Sequence, residues 1–215
     1  MKPHFGQPVL RRGVPLEQAE AAMILVHGRG ATADSILTLV PEIETAGFAY
    51  YAPQAANNTW YPYSFLSPTE QNEPGLSSGL YVIAQLLQQI EQGGVAAEKT
   101  VLLGFSQGAC LTLEFAARNP RRYGGIAGLS GGLIGPDTTT HADAGDLEGT
   151  PIFLGCSDVD FHVPKQRVHD STEILQKLGG QVTERLYPGM GHTVNLDEIE
   201  AVREMCRALI DSKHQ

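Results

Sequence analysis

Short runs of consecutive apolar residues alternate along the chain with segments in which apolar residues recur every three or four positions. A short apolar run closed by glycine or proline is typical of a strand buried on both faces, whereas the wider spacing is typical of a helix with one buried face. The runs predict strands over residues 22–26, 48–52, 100–103, 123–129, 152–155 and 182–187. The spaced segments predict helices around residues 36–43, 80–87, 106–118 and 168–178, and from 195 onward.

Two of these helices carry a local signal at one position. Pro41 falls inside the first of them, and we expect it to kink or restart that helix. Asn195 precedes the last one, and Glu198 follows three residues later. This pair resembles a capping box, in which each side chain binds a backbone N–H at the helix start.

The alternation of strands and helices predicts βαβ units, and therefore an α/β fold with a mostly parallel sheet covered by helices on both faces. A length of 215 residues suits a single domain over residues 1–215. The chain has no insertion large enough for a helical lid. In such sheets, active sites gather at the carboxyl ends of the strands.

Composition excludes some partners. The net charge is −9 and no run of basic residues occurs, so we expect no nucleic-acid partner. No apolar run is long enough for a membrane span, and residues 1–18 lack the apolar stretch of a signal peptide. Three scattered cysteines, an odd number, fit a reducing cytoplasm better than a disulfide framework. The sequence leaves open whether the chain forms a homodimer.

The segment 104–108 reads Gly-Phe-Ser-Gln-Gly and lies between a predicted strand and a predicted helix. Gly-x-Ser-x-Gly in that context is typical of a tight turn that exposes a nucleophilic serine, here Ser106. The helix that begins there directs free N–H groups at the reacting centre. A serine that only caps the helix would leave the two flanking glycines unexplained.

A serine hydroxyl needs a base, and histidine is suited to that role near neutral pH. His192 lies in a glycine-rich loop after the last predicted strand, and it follows Ser106 in chain order as the pattern Ser…Asp/Glu…His requires. We interpret His27 and His162 as residues of the site wall. His4 lies near a chain end, where disorder is common.

The acid that orients this base should follow a strand between Ser106 and His192. Asp158 and Asp160 both satisfy that condition, and spacing does not choose between them. The one that does not serve as the acid would be a turn aspartate bonded to its own backbone.

Acyl transfer also needs N–H donors for the developing oxyanion. One donor should be the N–H of Gln107, the residue after the serine, and we expect the Arg29 N–H in the loop after the first strand to be the other. The same loop matches a dinucleotide fingerprint, Gly28-x-Gly30-x-x-Ala33. The acidic residue expected about 20 positions later is missing, which disfavours that cofactor.

With these residues in place, the chain resembles the phospholipase/carboxylesterase family of small α/β-hydrolases, which includes the acyl-protein thioesterases. The resemblance rests on four segments: 25–31 (LVHGRGA), 104–109 (GFSQGA), 160–164 (DFHVP) and 187–192 (YPGMGH). It implies the α/β-hydrolase fold and a triad of Ser106, Asp160 and His192, and so favours Asp160 over Asp158. It also implies an oxyanion hole of the Arg29 and Gln107 backbones, and hydrolysis without metal or organic cofactor.

The resemblance predicts a small-molecule acyl ester as substrate. With no lid, we expect a shallow site that favours short or medium acyl chains. Thioesters or lysophospholipids are alternative substrates, and a non-catalytic ligand-binding module is an alternative of another class. Arg29 stands where the thioesterases more often carry an apolar residue, and the acidic loop is longer than in eukaryotic members. Trp60, in an aromatic segment after the second predicted strand, is our candidate for contact with substrate; packing of that segment on the core is the competing interpretation.

Overall fold

The computed structural model describes residues 2–43, 45–136 and 145–211. Its strands are β1 Val9–Gly13, β2 Ala21–Val26, β3 Phe48–Pro53, β4 Thr100–Phe105, β5 Gly125–Leu129, β6 Pro151–Ser157 and β7 Gln181–Tyr187. Within the described residues they form one seven-stranded sheet in the order β1-β3-β2-β4-β5-β6-β7. Only the pairing of β1 with β3 is antiparallel. The mostly parallel sheet is confirmed.

The helices follow the strands in the predicted alternation. They are α1 Ala33–Ile36, α2 Val40–Ile43, α3 Gly75–Gln92, α4 Gln107–Arg118, α5 Lys165–Lys177 and α6 Leu196–Asp211. Single 3₁₀ turns occupy Leu16–Gln18, Leu37–Leu39, Ala56–Asn58, Thr69–Asn72 and Ala97–Lys99. The capping box of α6 forms as expected: Asn195 Oδ1 accepts from the N–H of Glu198, and Glu198 Oε2 accepts from the N–H of Asn195, both at 2.9 Å.

The position of β2 between two layers of helices explains why all of its residues are apolar, with no alternation of apolar and polar positions. Ala22, Ile24 and Val26 pack into the cluster that also contains apolar residues of α3, α4 and α5. Ala21, Met23 and Leu25 pack into the cluster formed with α1, α2 and α6. Because successive side chains of a strand point to opposite faces, a strand covered by helices on both sides is apolar throughout.

Two elements differ from the sequence expectation. Strand β1 was not predicted, since its sequence VLRRG has only two apolar residues and it lies at the sheet edge, half-buried to exposed. The helix expected around residues 36–43 is interrupted, as Pro41 suggested, but the 3₁₀ turn comes before the proline, which occupies the second position of α2. A proline is tolerated in a first helical turn because its missing N–H would have no partner there.

Loops that follow β2, β3, β4, β6 and β7 all begin at the carboxyl edge of the sheet. The residues proposed for chemistry are carried by these loops, so the fold collects them at one edge. Within the described residues, no helix is both long and apolar enough to cross a membrane.

Candidate active site

Ser106 occupies a strained turn between β4 and α4, with φ 56° and ψ −120°. A residue with a side chain rarely adopts such a positive φ, and strain of this kind is concentrated at functional sites. The flanking glycines make the turn possible. A Cβ at Gly104 would overlap the backbone of Gly108, and a Cβ at Gly108 would overlap the carbonyl of Val26. Close packing of strand against helix therefore requires both glycines.

A continuous hydrogen-bonded chain connects the serine, histidine and one aspartate. His192 Nε2 lies 2.8 Å from Ser106 Oγ, and His192 Nδ1 lies 2.7 Å from Asp160 Oδ2. The Asp160 side chain is fully buried, while that of His192 is 20% exposed. This arrangement can remove a proton from the serine hydroxyl with the imidazole held at both nitrogens.

Asp160 is surrounded by donors that favour its ionised form. Besides His192, the backbone N–H groups of His162 and Val163 donate to its Oδ1 at 2.8 and 3.1 Å, and the thiol of Cys156 lies 3.8 Å from Oδ2. Burial by itself raises the pKa of Asp160. The hydrogen bonds from His192 and the two N–H groups outweigh burial and hold this pKa below its ordinary value.

Asp158 has a different partner. Its Oδ1 accepts a hydrogen bond from the N–H of Gly189 at 2.8 Å, and Ser157 Oγ accepts one from the N–H of Gly191 at 3.0 Å. Both bonds join the loop after β6 to the loop that carries His192. The geometry therefore brings Asp160, not Asp158, to His192. We expected the other aspartate to bond to the backbone of its own turn, but the Asp158 carboxylate accepts from the Gly189 N–H of the histidine loop instead.

The two expected oxyanion donors lie at the same site. Gln107 is the first residue of α4, and Arg29 follows β2 in a loop that approaches the serine. In the described part of the chain, neither backbone N–H donates to another residue. A Cβ at Gly28 would lie 3.3 Å from the Ser106 Cβ, which shows how closely this loop approaches the elbow.

The side chain of Gln107 has a role that the sequence did not reveal. Its Oε1 accepts from the N–H of Trp60 at 2.8 Å, and its Nε2 donates to the carbonyl of Tyr61 at 2.8 Å. The buried amide thus pairs with the segment after β3 much as a neighbouring strand would. The position after Ser106 consequently holds both the α4 start and the aromatic segment in place.

Trp60 does not contact the site cavity, which corrects the expectation that it binds substrate. The indole is fully buried, and its N–H donates to the carbonyl of His27 at 2.9 Å. Its ring packs against the rings of His4 and His27, both with centroids 5.1 Å away. Packing on the core, the competing interpretation, is therefore the one observed. His4 is buried in the same cluster and not disordered, since Ala56 N–H and the Trp60 carbonyl bind its ring.

A half-open cavity of about 460 Å³ adjoins Ser106 and His192. Its other lining residues are Gly28, Arg29, Ala31, Tyr61, Pro62, Tyr63, Ser64, Phe65, Phe105, Gln107, Cys110, His162 and Val163. The aromatic wall is made by neighbours of Trp60, so the segment singled out in the sequence lines the cavity, whereas Trp60 itself does not. His162 belongs to this wall as expected. His27 is fully buried and lines a second cavity beside His192, and its Nε2 also accepts from the N–H of Ala55, which holds two loops together.

Among the residues that the structure describes, no three His, Cys, Asp or Glu side chains are grouped so as to hold a metal ion. The three cysteines are unpaired and buried. Burial raises the pKa of each thiol to about 12, so none is a ready thiolate ligand or nucleophile.

The sheet, the strained serine between β4 and α4, and a histidine that follows the last strand define an α/β-hydrolase. The family described as phospholipase/carboxylesterase matches residues 14–210, and the chain belongs to this family. It is accordingly a hydrolase of the carboxylic-ester type.

Similar proteins agree with this assignment. A phospholipase/carboxylesterase from Dyadobacter fermentans, known from its crystal structure, is 42% identical with a TM-score of 0.91, over 96% of this chain and 99% of that one. Acyl-protein thioesterase 1 of Gibberella zeae is 34% identical over 133 residues, which cover 60% of this chain and only 56% of that protein. Acyl-protein thioesterase 1 of Saccharomyces cerevisiae is 27% identical over 94% of this chain and 99% of that protein.

Proposed function

We propose that the protein is a serine carboxylesterase that hydrolyses short- to medium-chain carboxylic esters through an acyl-enzyme on Ser106. The observation that carries this proposal is the hydrogen-bonded chain from Ser106 through His192 to the buried Asp160. A binding module would have no need for a strained serine in contact with an imidazole.

In the proposed mechanism, His192 takes the proton of Ser106 as Oγ attacks the ester carbonyl carbon. The tetrahedral oxyanion receives hydrogen bonds from the N–H groups of Arg29 and Gln107. His192 then gives its proton to the leaving alcohol as the carbon–oxygen bond breaks. Water repeats both steps on the acyl-enzyme, while Asp160 holds the imidazole tautomer and stabilises its charged form.

The size of the half-open cavity supports the proposal that the substrate carries a short or medium acyl chain. We further propose that the 215 residues form one domain. The three free, buried cysteines support a reducing, cytoplasmic setting.

Ser106→Ala tests the proposal. We expect the variant to fold and to lose turnover of 4-nitrophenyl acetate and butyrate, whereas Ser77→Ala, which removes an exposed hydroxyl on α3, keeps it. A fluorophosphonate probe should label the wild type and not the variant. Undiminished hydrolysis by Ser106→Ala would refute the assignment, and an unlabelled, inactive wild type would favour a non-catalytic binding module.

Hydrolysis of acyl thioesters is a second candidate, because several relatives are named acyl-protein thioesterase 1. The same three residues would act, with a thiol as the leaving group, and lysophospholipids are a further ester substrate to include. Matched esters and thioesters with the same acyl chains would distinguish these substrates by kcat/KM.

A further inference from the structure

Arg29 is an exposed residue that lines the cavity beside Ser106. Its Nη1 donates to Thr59 Oγ1 at 3.2 Å and to the Pro62 carbonyl at 2.8 Å, and its Nη2 donates to the Tyr63 carbonyl at 2.6 Å. A guanidinium has five N–H donors. Within the described residues, two of them, one on Nη2 and the one on Nε, therefore have no partner.

The charge of Arg29 is also unmatched. Within the described part of the chain, no carboxylate forms an ion pair with it, although acidic residues outnumber basic ones by 24 to 15 in the sequence. Among the described residues that line the cavity, it is the only Lys, Arg, Asp or Glu side chain. The lining therefore offers a fixed positive charge with two free donors next to aromatic and small residues. A planar carboxylate fits such a group, because its two oxygens can pair with two N–H donors of one guanidinium.

A second cavity of about 440 Å³ lies beyond Phe105 and His192, and it includes Thr193 and Val194 of the histidine loop. The described residues that line this second cavity include no Lys, Arg, Asp or Glu. In the proposed mechanism the imidazole gives its proton to the leaving alcohol, so we place the leaving group in this second cavity, beside the histidine loop. The acyl group then occupies the first cavity, which Gln107 and Cys110 of α4 line together with Arg29.

We propose that Arg29 binds a carboxylate at the far end of the acyl group, so that the enzyme prefers half-esters of short dicarboxylic acids. This inference rests on the proposed function of Ser106. Arg29 carries both the proposed oxyanion donor, its backbone N–H, and the cation, so an acyl chain such as glutaryl would extend from the ester carbonyl toward the guanidinium of the same residue. Ser106 Oγ bonds to the ester carbonyl carbon, the bond to the alkoxy oxygen breaks, and water then releases the dicarboxylate from the serine.

The test compares 4-nitrophenyl glutarate half-ester with 4-nitrophenyl valerate, which has the same acyl length without the charge. In the wild type, we expect a higher kcat/KM for the half-ester, and a ratio of the two that falls as salt is added. Arg29→Gln should lower this ratio at least tenfold, mainly through KM, and Arg29→Lys should retain part of it. Arg122→Gln removes a cation before β5, at the opposite sheet edge, and should leave the ratio unchanged.

Two results would overturn the inference. The ratio could be unchanged in Arg29→Gln, including the case in which both substrates lose activity by the same factor, as expected if Arg29 only holds the 59–63 segment. The preference could instead appear for 4-carboxyphenyl valerate, which would assign the anion to the leaving group. The wild type should hydrolyse the uncharged 4-nitrophenyl valerate, and Ser106→Ala should not. That result supports the proposed function even where the inference about Arg29 fails.

Discussion

Asp158 Oδ1 accepts a hydrogen bond from the backbone N–H of Gly189, with 2.8 Å between the two atoms. The bond connects the loop after β6, which also carries Asp160, to the loop that carries His192. With the parallel bond from Gly191 to Ser157, it holds the position of the imidazole without touching it. We therefore propose that Asp158 is a positioning residue, whereas Asp160 is the carboxylate that contacts His192.

Substitutions at the two aspartates should separate these roles. Asp160→Asn should lower kcat by about 10⁴-fold, because it disrupts the imidazole tautomer. Asp158→Ala should lower kcat only about tenfold, the equivalent of one lost hydrogen bond, and Asp158→Asn should stay near wild type because its amide oxygen can still accept from Gly189. Steady-state kinetics with 4-nitrophenyl butyrate measures all three. A larger loss in Asp158→Ala than in Asp160→Asn would reverse the assignment.

The positive φ of Ser106 predicts a difference between two inactive variants. Glycine adopts φ 56° and ψ −120° more readily than alanine does, so Ser106→Gly should relieve strain that Ser106→Ala retains. We expect Ser106→Gly to be more stable than Ser106→Ala by about 1 kcal/mol in urea unfolding, despite the larger entropy of its unfolded chain. Equal stability would mean that the turn is not strained.

The different places of Trp60 and Tyr63 predict opposite effects. Trp60→Phe removes the donor to the buried carbonyl of His27 and should cost about 1–3 kcal/mol of stability. Tyr63 lines the cavity and is 57% exposed, so Tyr63→Ala should change stability by less than about 0.5 kcal/mol and raise KM instead. Urea unfolding and KM values for a medium-chain ester distinguish them. A raised KM in Trp60→Phe with unchanged stability would restore Trp60 as a substrate contact.

Glu198 predicts a pH dependence of stability. It is fully buried, its Oε1 has no partner among the described residues, and burial raises its pKa from about 4.5 to about 7. The folded protein holds this proton more tightly than the unfolded chain does, so this carboxyl favours folding at low pH. Its contribution decreases as the pH rises from about 4.5 to 7 and is constant above that range.

Glu198→Gln removes this titration. The stability of the wild type relative to the variant should therefore fall by up to about 3 kcal/mol between pH 5 and pH 8, at about 1.4 kcal/mol for each pKa unit. Glu204→Gln, at an exposed position of the same helix, is the control. The difference in stability between the wild type and this control should be the same at pH 5 and at pH 8. Urea unfolding at the two pH values measures this. A constant difference for Glu198→Gln would show that its carboxyl titrates normally.

Local sequence was enough to predict most elements of the fold and two of the site residues. Consecutive apolar residues identified strands such as β2, because a strand between two helical layers buries every side chain. Ser106 was identified by its two glycines, whose missing side chains are a local requirement of the turn. His192 was identified by its loop and its place in chain order. Strand β1 was missed because its side chains carry no apolar pattern. It is a strand because its backbone pairs with that of β3 at the sheet edge, and such pairing cannot be inferred from the sequence of β1 alone.

What spacing left undecided depends on contacts between distant segments. Asp158 and Asp160 are two residues apart, and only the position of the histidine loop decides which carboxylate meets the imidazole. Trp60 and Tyr63 lie in one aromatic segment, and the packing of His4 and His27 decides which of them is buried. The sequence by itself thus determined the elements and the chemical groups that they carry. Only the tertiary structure decided which groups meet, because a contact across the fold depends on both partners and on everything that holds them in place.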